Sequence, residues 1–328
     1  MVPSESHTNQ FGDRYKFAGS NSPAICISPD TLFPPKRAPV HGSSSVKGEP
    51  MLQAIISPAK QMEIDADVFA PEGIPPFPEE TCRLYKELLR IERVEGAGGL
   101  KALWKVNDRL LAENINRLHL FMPVMDEQVL DDPAVASLVG PAVFSYVGIQ
   151  YRSMAPDVLD LTGLDWLDRH LWILSGFYGC IRPRHAVQPY RLEMGARLAL
   201  DNTKDLYAFW GNRIARAIDA DAHGQANEPL AVVNLASVEY AKAVLPHLPA
   251  DARTVTCLFG EELRSGKPVQ RATASKIARG SMVRWMAERG IERTDNLRGF
   301  DVGYAFAPEL SRITEDGSET LVFMKSGT

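Results

Sequence analysis

Six side chains in this 328-residue chain are of the types that acid–base chemistry on an anion requires: Lys60, Tyr146, Arg191, Glu193, Glu239 and Lys276. Sequence-independent contact with a nucleic-acid backbone needs bases alone. Carboxylates beside Lys and Tyr suit proton transfer on a small anionic substrate. Lys60, Tyr146, Arg191, Glu193 and Glu239 are therefore the candidate catalytic residues.

Three stretches carry most of the remaining polar candidates. In "LSGFYGCIRP" (174–183), Gly176 and Gly179 bracket two aromatics. Such glycines allow positive φ and close backbone approach, so the turn is either a structural hairpin or a cradle for a phosphate with Arg182. In "QPYRLEMG" (188–195), Arg191 and Glu193 would share one face of a strand, as a salt bridge or an anion clamp. In "VVNLASVEY" (232–240), a strand delivers Asn234 and Ser237 at its carboxyl end, where open sheets bind ligands, although capping and turn chemistry also suits both.

A basic segment follows. Residues 264–298 contain nine Lys or Arg against three Asp or Glu, in a chain of net charge −5. Within it, 273–290 reads as a helix with a buried stripe of Ile277, Ala278, Ser281, Met282, Trp285 and Met286. Lys276, Arg279, Gly280 and Val283 fall opposite, and Arg284 adds a further charge. A mid-helix glycine costs roughly 1 kcal/mol against Ala. Gly280 thus signals close approach of another backbone or of a phosphate. Lys60, Gly176, Gly179, Arg182, Arg191, Asn234, Ser237, Lys276, Arg279 and Arg284 are the candidate DNA- or anion-binding residues.

The elements that must position these groups are legible in outline. "MLQAIISPAK" (51–60) is a buried strand stopped by Ser57-Pro58, with Lys60 in the following loop. Helical periodicity covers 80–93 and 101–119, broken at Gly96–Gly99. "AVFSYVGIQY" (142–151) reads as a strand or strand-turn pivoting on Gly148, and 164–174 as a helix or a long strand approach. "DLYAFWGNRIARAID" reads as one amphipathic helix. Strands are expected at 230–237, 253–260 and 321–325, with a helix at "VEYAKAVL". The pattern predicts α+β (mixed α/β) architecture in a single compact domain spanning 51–328. Residues 1–50, rich in Ser, Pro, Asn and Gly, read as a disordered or non-native N-terminal extension.

No apolar run reaches membrane-spanning length, and no secretory leader pattern opens the chain. The four cysteines, Cys26, Cys82, Cys180 and Cys257, form no C-x-x-C pair, which suits free thiols in a reducing cytoplasm. Arg182 and Arg184 would favour a thiolate at Cys180. There is no G-x-G-x-x-G, P-loop, H-E-x-x-H or G-x-S-x-G motif, so no cofactor is expected. His119, His170 and His185 are scattered, and no metal site is read from them.

Taken together, "IISPAK", "YVGIQ", "LSGFYGCIRP", "QPYRLEMG", "LYAFWG", "VVNLASVEY", "SKIARGSMVRW" and "LRGF" resemble, in order, the YaaA family of peroxide-stress proteins. The resemblance runs from Met51 to Lys325. It implies an unusual fold with a helix-hairpin-helix-like element, at "LSGFYG" or "LRGF", and a cytoplasmic protein that limits iron-driven oxidative damage. It also implies a partner, double-stranded DNA, held in a basic cleft. The alternative is an enzyme acting on a small anionic ligand in the Lys/Tyr/Arg/Glu-lined pocket. One departure bears on DNA: Ile277 stands where a second lysine often follows Lys276, which removes one phosphate contact.

Overall fold

The strand Met51–Ile56 (β1) is an apolar run buried on both faces, as expected for the middle of a parallel sheet. The computed structural model describes residues 51–65, 68–226 and 229–327. The expectations for residues 1–50, with Cys26, lie outside the described residues. On one side β1 pairs in parallel with Leu171–Ser175 (β2), which turns back into the antiparallel Gly179–Ile181 (β3). On the other side it pairs in parallel with Leu230–Leu235 (β4), followed outward by Arg253–Gly260 (β5). Beyond β5 lies Glu319–Lys325 (β8), also parallel, edged by the antiparallel Tyr304–Phe306 (β6) and Arg312–Ile313 (β7). The sheet has eight strands with helices packed on it, an α+β arrangement as expected.

The chain leaves β1 toward β2 but leaves β4 toward β5. Connections therefore diverge above the neighbouring carboxyl ends of β1 and β4, the switch point at which open sheets place ligands. Ser57 and Ser237 stand there.

Helices cover the sheet. Pro78–Trp104 (α1) kinks at Gly96, whose φ is +67°, but continues beyond it. The backbone at Gly96 is non-helical, so the expected break at Gly96–Gly99 is present as a kink; a second break at Lys105, which takes a left-handed cap before Asp108–Leu120 (α2), divides the helix expected over 101–119. The expected strand over 142–151 is also corrected. It is a helical turn, Ala142–Ser145, a two-residue strand, Tyr146–Val147, and the helix Ile149–Met154 (α3). Tyr146–Val147 alone pairs, with Gln61–Met62, whereas Val143 and Tyr151 owe their apolar character to burial. Residues 164–174 divide into the helix Leu161–His170 (α4) and β2. "DLYAFWGNRIARAID" is two helices, Leu206–Trp210 (α5) and Arg213–Ala226 (α6), because Gly211 takes φ +51° between them. The helix after β4 is only Val238–Ala241 (α7). "LSGFYG" is the β2–β3 hairpin and no helix-hairpin-helix. "LRGF" closes the 3-10 turn Thr294–Gly299, beyond the helix Ala272–Glu288 (α8).

Helix α8 buries more of its surface than its sequence pattern suggests. Ala278, Met282, Trp285 and Met286 are buried as expected, but Ile277 is 40% exposed, and Gly280 and Val283 are buried. The reason is α3. A Cβ added to Gly280 would sit 2.0 Å from the Gln150 carbonyl oxygen, so the close neighbour of this glycine is backbone.

At the far end of the sheet, His170 stacks on Trp166 at 4.8 Å and its Nδ1–H donates to the Leu52 carbonyl at 2.8 Å. Its Nε2 is sealed without a partner. Burial first, then the neighbouring Arg169 and Arg182, lowers its pKa to about 4, against the Leu52 hydrogen bond.

Two glycines and a histidine make this testable. Gly280→Ala loses roughly 2–4 kcal/mol in urea unfolding, because α8 must move off α3. Gly98→Ala in α1, where an added Cβ meets open space, gains about 0.5–1 kcal/mol. For His170, the fold accepts only the neutral ring. Its contribution is therefore complete above the ordinary value of 6.5 and is lost as pH falls toward about 4. Unfolding measured against pH then shows His170→Gln to be less pH-sensitive than the parent by on the order of 2–3 kcal/mol across that window.

Candidate functional site

Ser57 ends β1 and ties the switch point together. Its Oγ accepts the Ser237 N–H at 2.9 Å and lies 3.2 Å from the Ser237 hydroxyl. Its carbonyl accepts from Gln150 Nε2 at 3.0 Å and from the Tyr151 hydroxyl at 3.1 Å. The loop after β1, the start of α7 and helix α3 thus meet at one residue.

Beside this junction, the β2–β3 hairpin holds the segment 188–195 in place. Gly176 has no room for a side chain, since an added Cβ would lie 2.7 Å from the Leu192 carbonyl. Gly179 takes φ +76° to turn the hairpin. Both glycines are thereby explained by packing and turn geometry. The 188–195 segment joins no strand ladder, which corrects the expected strand. It still alternates, with Leu192 and Met194 buried and Arg191 and Glu193 turned the other way.

Arg191 and Glu193 form an ion pair at 2.7 Å, and Lys60 Nζ reaches the same Glu193 oxygen, Oε1, at 3.0 Å. Exposure rises along the trio from Arg191 at 10% to Glu193 at 31% and Lys60 at 65%. Arg191 also donates to the Lys60 carbonyl at 3.3 Å.

Behind the trio lies a cluster of buried phenols. Tyr146 and Tyr190 hydroxyls are 3.1 Å apart, and Tyr190 is 2.7 Å from Ser175 Oγ. The Tyr146 and Tyr151 rings lie 5.2 Å apart, as do those of Tyr178 and Tyr190. Burial raises Tyr190 to about 12, held back by its bonds to Ser175 and Tyr146. Burial also raises Tyr146 and Tyr240 well above the ordinary phenol value. All of these phenols therefore stay protonated at neutral pH and act as donors.

Glu239 completes the rim differently. Its carboxylate accepts the Gly195 N–H at 2.8 Å, fastening the end of the 188–195 segment to α7. Gly195 lies two residues beyond Glu193, so Glu239 and Glu193 stand at the same end of the 188–195 segment.

Lys60, Tyr146, Arg191, Glu193 and Glu239 thus converge, with Ser237 close by. Other candidates serve elsewhere. Arg182 is buried, paired with Asp221, bonded to the Leu171 carbonyl and seated 3.9 Å over Trp172. Asn234 is buried, accepting the Ala236 N–H and reaching Thr256. The Cys180 thiol, which the neighbouring arginines were expected to activate, is pushed up by burial, an effect larger than that of Arg182.

The basic segment sorts into two groups. Arg264 and Arg271 pair with Glu262, Arg284 with Glu288, Arg289 with Asp301, and Arg298 with Asp295 and Glu319. Arg293 reaches Asp295, whereas among the described residues Lys267, on the strand Lys267–Val269, and Lys276 and Arg279, on α8, have no ion pair. Lys276 is exposed; Arg279 is half-buried beside Cys257, its Nε sealed without a partner.

Sequence reasoning missed Tyr190 and Ser175 as site residues. Tyr190 immediately precedes Arg191 and Ser175 opens the hairpin, so position was the available signal. Among the described residues, no group of three or more His, Cys, Asp or Glu could hold a metal ion, and no helix is long and apolar enough to cross a membrane.

A mixed sheet with polar groups gathered over its switch point defines an α+β protein with a ligand-type rim. Comparison with known proteins gives the family. Residues 52–310 match the family described as peroxide stress protein YaaA, and the chain belongs to that family. A UPF0246 protein of Pediococcus pentosaceus is 39% identical over 276 residues, covering 84% of this chain and 98% of that protein. A UPF0246 protein of Desulfitobacterium hafniense is 36% identical over 276 residues, with the same two coverages. One from Lactiplantibacillus plantarum is 39% identical over 250 residues, covering 76% of this chain and 91% of its own.

Ser175 Oγ accepts the N–H groups of Phe177 and Tyr178 at 3.1 and 2.9 Å inside the hairpin. Ser175→Ala leaves both donors buried and unsatisfied. It is expected to lose roughly 2–4 kcal/mol in thermal or urea denaturation.

Proposed function

We propose that this protein works in the cytoplasm in the peroxide-stress response, limiting iron-driven oxidative damage, and that it does so on double-stranded DNA. The observation that carries the DNA reading is the sorting of charges on and around α8. Six neighbours in the basic segment find carboxylates and Lys267 lies unpaired on the short strand Lys267–Val269, whereas Lys276 and Arg279, one turn apart on a single helix, have none among the described residues. A guanidinium half withdrawn from water without a counter-charge is a costly arrangement. A phosphate oxygen would offset that cost and would accept from the guanidinium fork. The family supports the stress role.

A second reading, an enzyme acting on a small anionic ligand, is favoured by the convergence of Lys60, Tyr146, Arg191 and Glu193. The two readings use different residues and can hold together.

The test is electrophoretic retardation of a short duplex over a salt series. Lys276→Glu combined with Arg279→Gln is expected to weaken binding at least about tenfold, and to reduce the slope of log affinity against log salt by roughly 1 per lost contact. Retardation by the double variant equal to that by the parent, with the same slope, overturns the DNA reading.

A further inference from the structure

The hydroxyl chain beneath the rim has a direction that can be counted. A serine hydroxyl has one proton and two lone pairs. Both lone pairs of Ser175 Oγ are taken by the Phe177 and Tyr178 N–H groups, so its proton must go to Tyr190. One phenolic proton then fills the bond between Tyr190 and Tyr146. The other phenolic proton of that pair has no acceptor among the described residues. Chained hydroxyls polarise one another, which makes the leftover O–H a stronger donor.

The rim shows the complementary vacancy. Lys60 and Arg191 both bind Glu193 through Oε1. Glu193 Oε2 makes no hydrogen bond among the described residues and is an open acceptor. The site thus offers one spare phenol donor, one spare carboxylate oxygen, an exposed ammonium and a guanidinium. Lys60, Arg191 and Glu193 together carry one net positive charge.

A ligand that satisfies all of these must be anionic, must present oxygen acceptors and must also donate a proton to Glu193. We propose that this rim binds a phosphate carrying an ionisable proton, as inorganic hydrogen phosphate or a small phosphate monoester in its protonated form. The Tyr146–Tyr190 pair donates to one phosphate oxygen, Lys60 and Arg191 face the negative charge, and Glu193 Oε2 accepts the P–O–H. Ser175 is a positioning residue that orients the phenols and touches no ligand.

The carboxylate makes the proposal selective. Sulfate has the size and geometry of phosphate but no proton at neutral pH, so at this site it sets an oxygen lone pair against Glu193. A lost hydrogen bond together with that repulsion is worth at least a factor of about ten. A cluster of surface bases makes no such distinction.

The experiment is isothermal titration of the full chain with inorganic phosphate and with sulfate at pH 6. Phosphate is expected to bind at least about tenfold more tightly than sulfate. Glu193→Gln should bring the two anions to within about threefold, and Tyr146→Phe or Tyr190→Phe should weaken phosphate by on the order of tenfold. Lys276→Glu should leave the discrimination unchanged, so failure here and failure of the DNA reading are separable. Equal affinity for the two anions, absence of binding by phosphate at about 10 mM, or discrimination that survives Glu193→Gln overturns the proposal. If a tyrosine variant does not fold, as judged by circular dichroism, the phosphate–sulfate comparison on the parent protein decides.

Discussion

Everything at the rim depends on β1 being flanked by two parallel neighbours whose chains depart in opposite directions. The register is fixed on both sides, with Ile56 opposite Ile173 of β2 and Leu235 of β4. A one-residue slip would turn the buried side chains of β1 to the opposite face and would also carry Ser57 away from Ser237. Ser57 uses its hydroxyl toward α7 and its carbonyl toward α3, so the strand end is pinned from both sides. The switch point is therefore a product of strand order, and its polar groups are held by backbone as much as by side chains.

A second constraint is the contact of Gly176 with the backbone of residues 192–194. The segment has no ladder to hold it, yet its side chains alternate as on a strand. The hairpin supplies the missing restraint by coming too close for any Cβ. Leu192 and Met194 then sink into the core, and Arg191 and Glu193 are left facing Lys60. The two inward arginines illustrate the electrostatic side of the same economy. Arg182 is buried among Asp221, a carbonyl and the face of Trp172, and every requirement of its charge is met inside the fold. Arg279 has no such company, which is why its charge is the more informative of the two.

How much of this was legible in the sequence varied with the range of the interactions. β1, β4 and β5 are apolar runs bounded by turn residues, and such runs name themselves. The segment 142–151 did not, because Val143, Tyr146 and Ile149 all satisfy strand propensity, yet only Tyr146–Val147 pairs and the residues on either side wind into helical turns. Gly211 was readable as a break only once its left-handed backbone was known. The functional motifs were legible as strings, and Arg191–Glu193 as a pair, but the reach of Lys60 to Glu193 spans nearly half of the domain in sequence. The local charge of 264–298 was misleading for a related reason. Glu262, Asp301 and Glu319, which neutralise much of it, lie outside that window and arrive through the fold.

The two regions of interest are also mechanically joined. Gly280 of α8 rests on the carbonyl oxygen of Gln150, and the side-chain amide of that same residue donates to Ser57. A carbonyl packed under a Cα that has no Cβ leaves no slack, because interiors are close-packed and respond to displacement by moving neighbours rather than compressing. Helix α8, which carries Lys276 and Arg279, therefore cannot move toward α3 without moving Gln150, and Gln150 cannot move without disturbing the carbonyl of Ser57. Glycine at position 280 thus does more than admit a close helix contact. It sets the distance between the two unpaired bases and the strand end around which the tyrosine, lysine and glutamate groups are assembled.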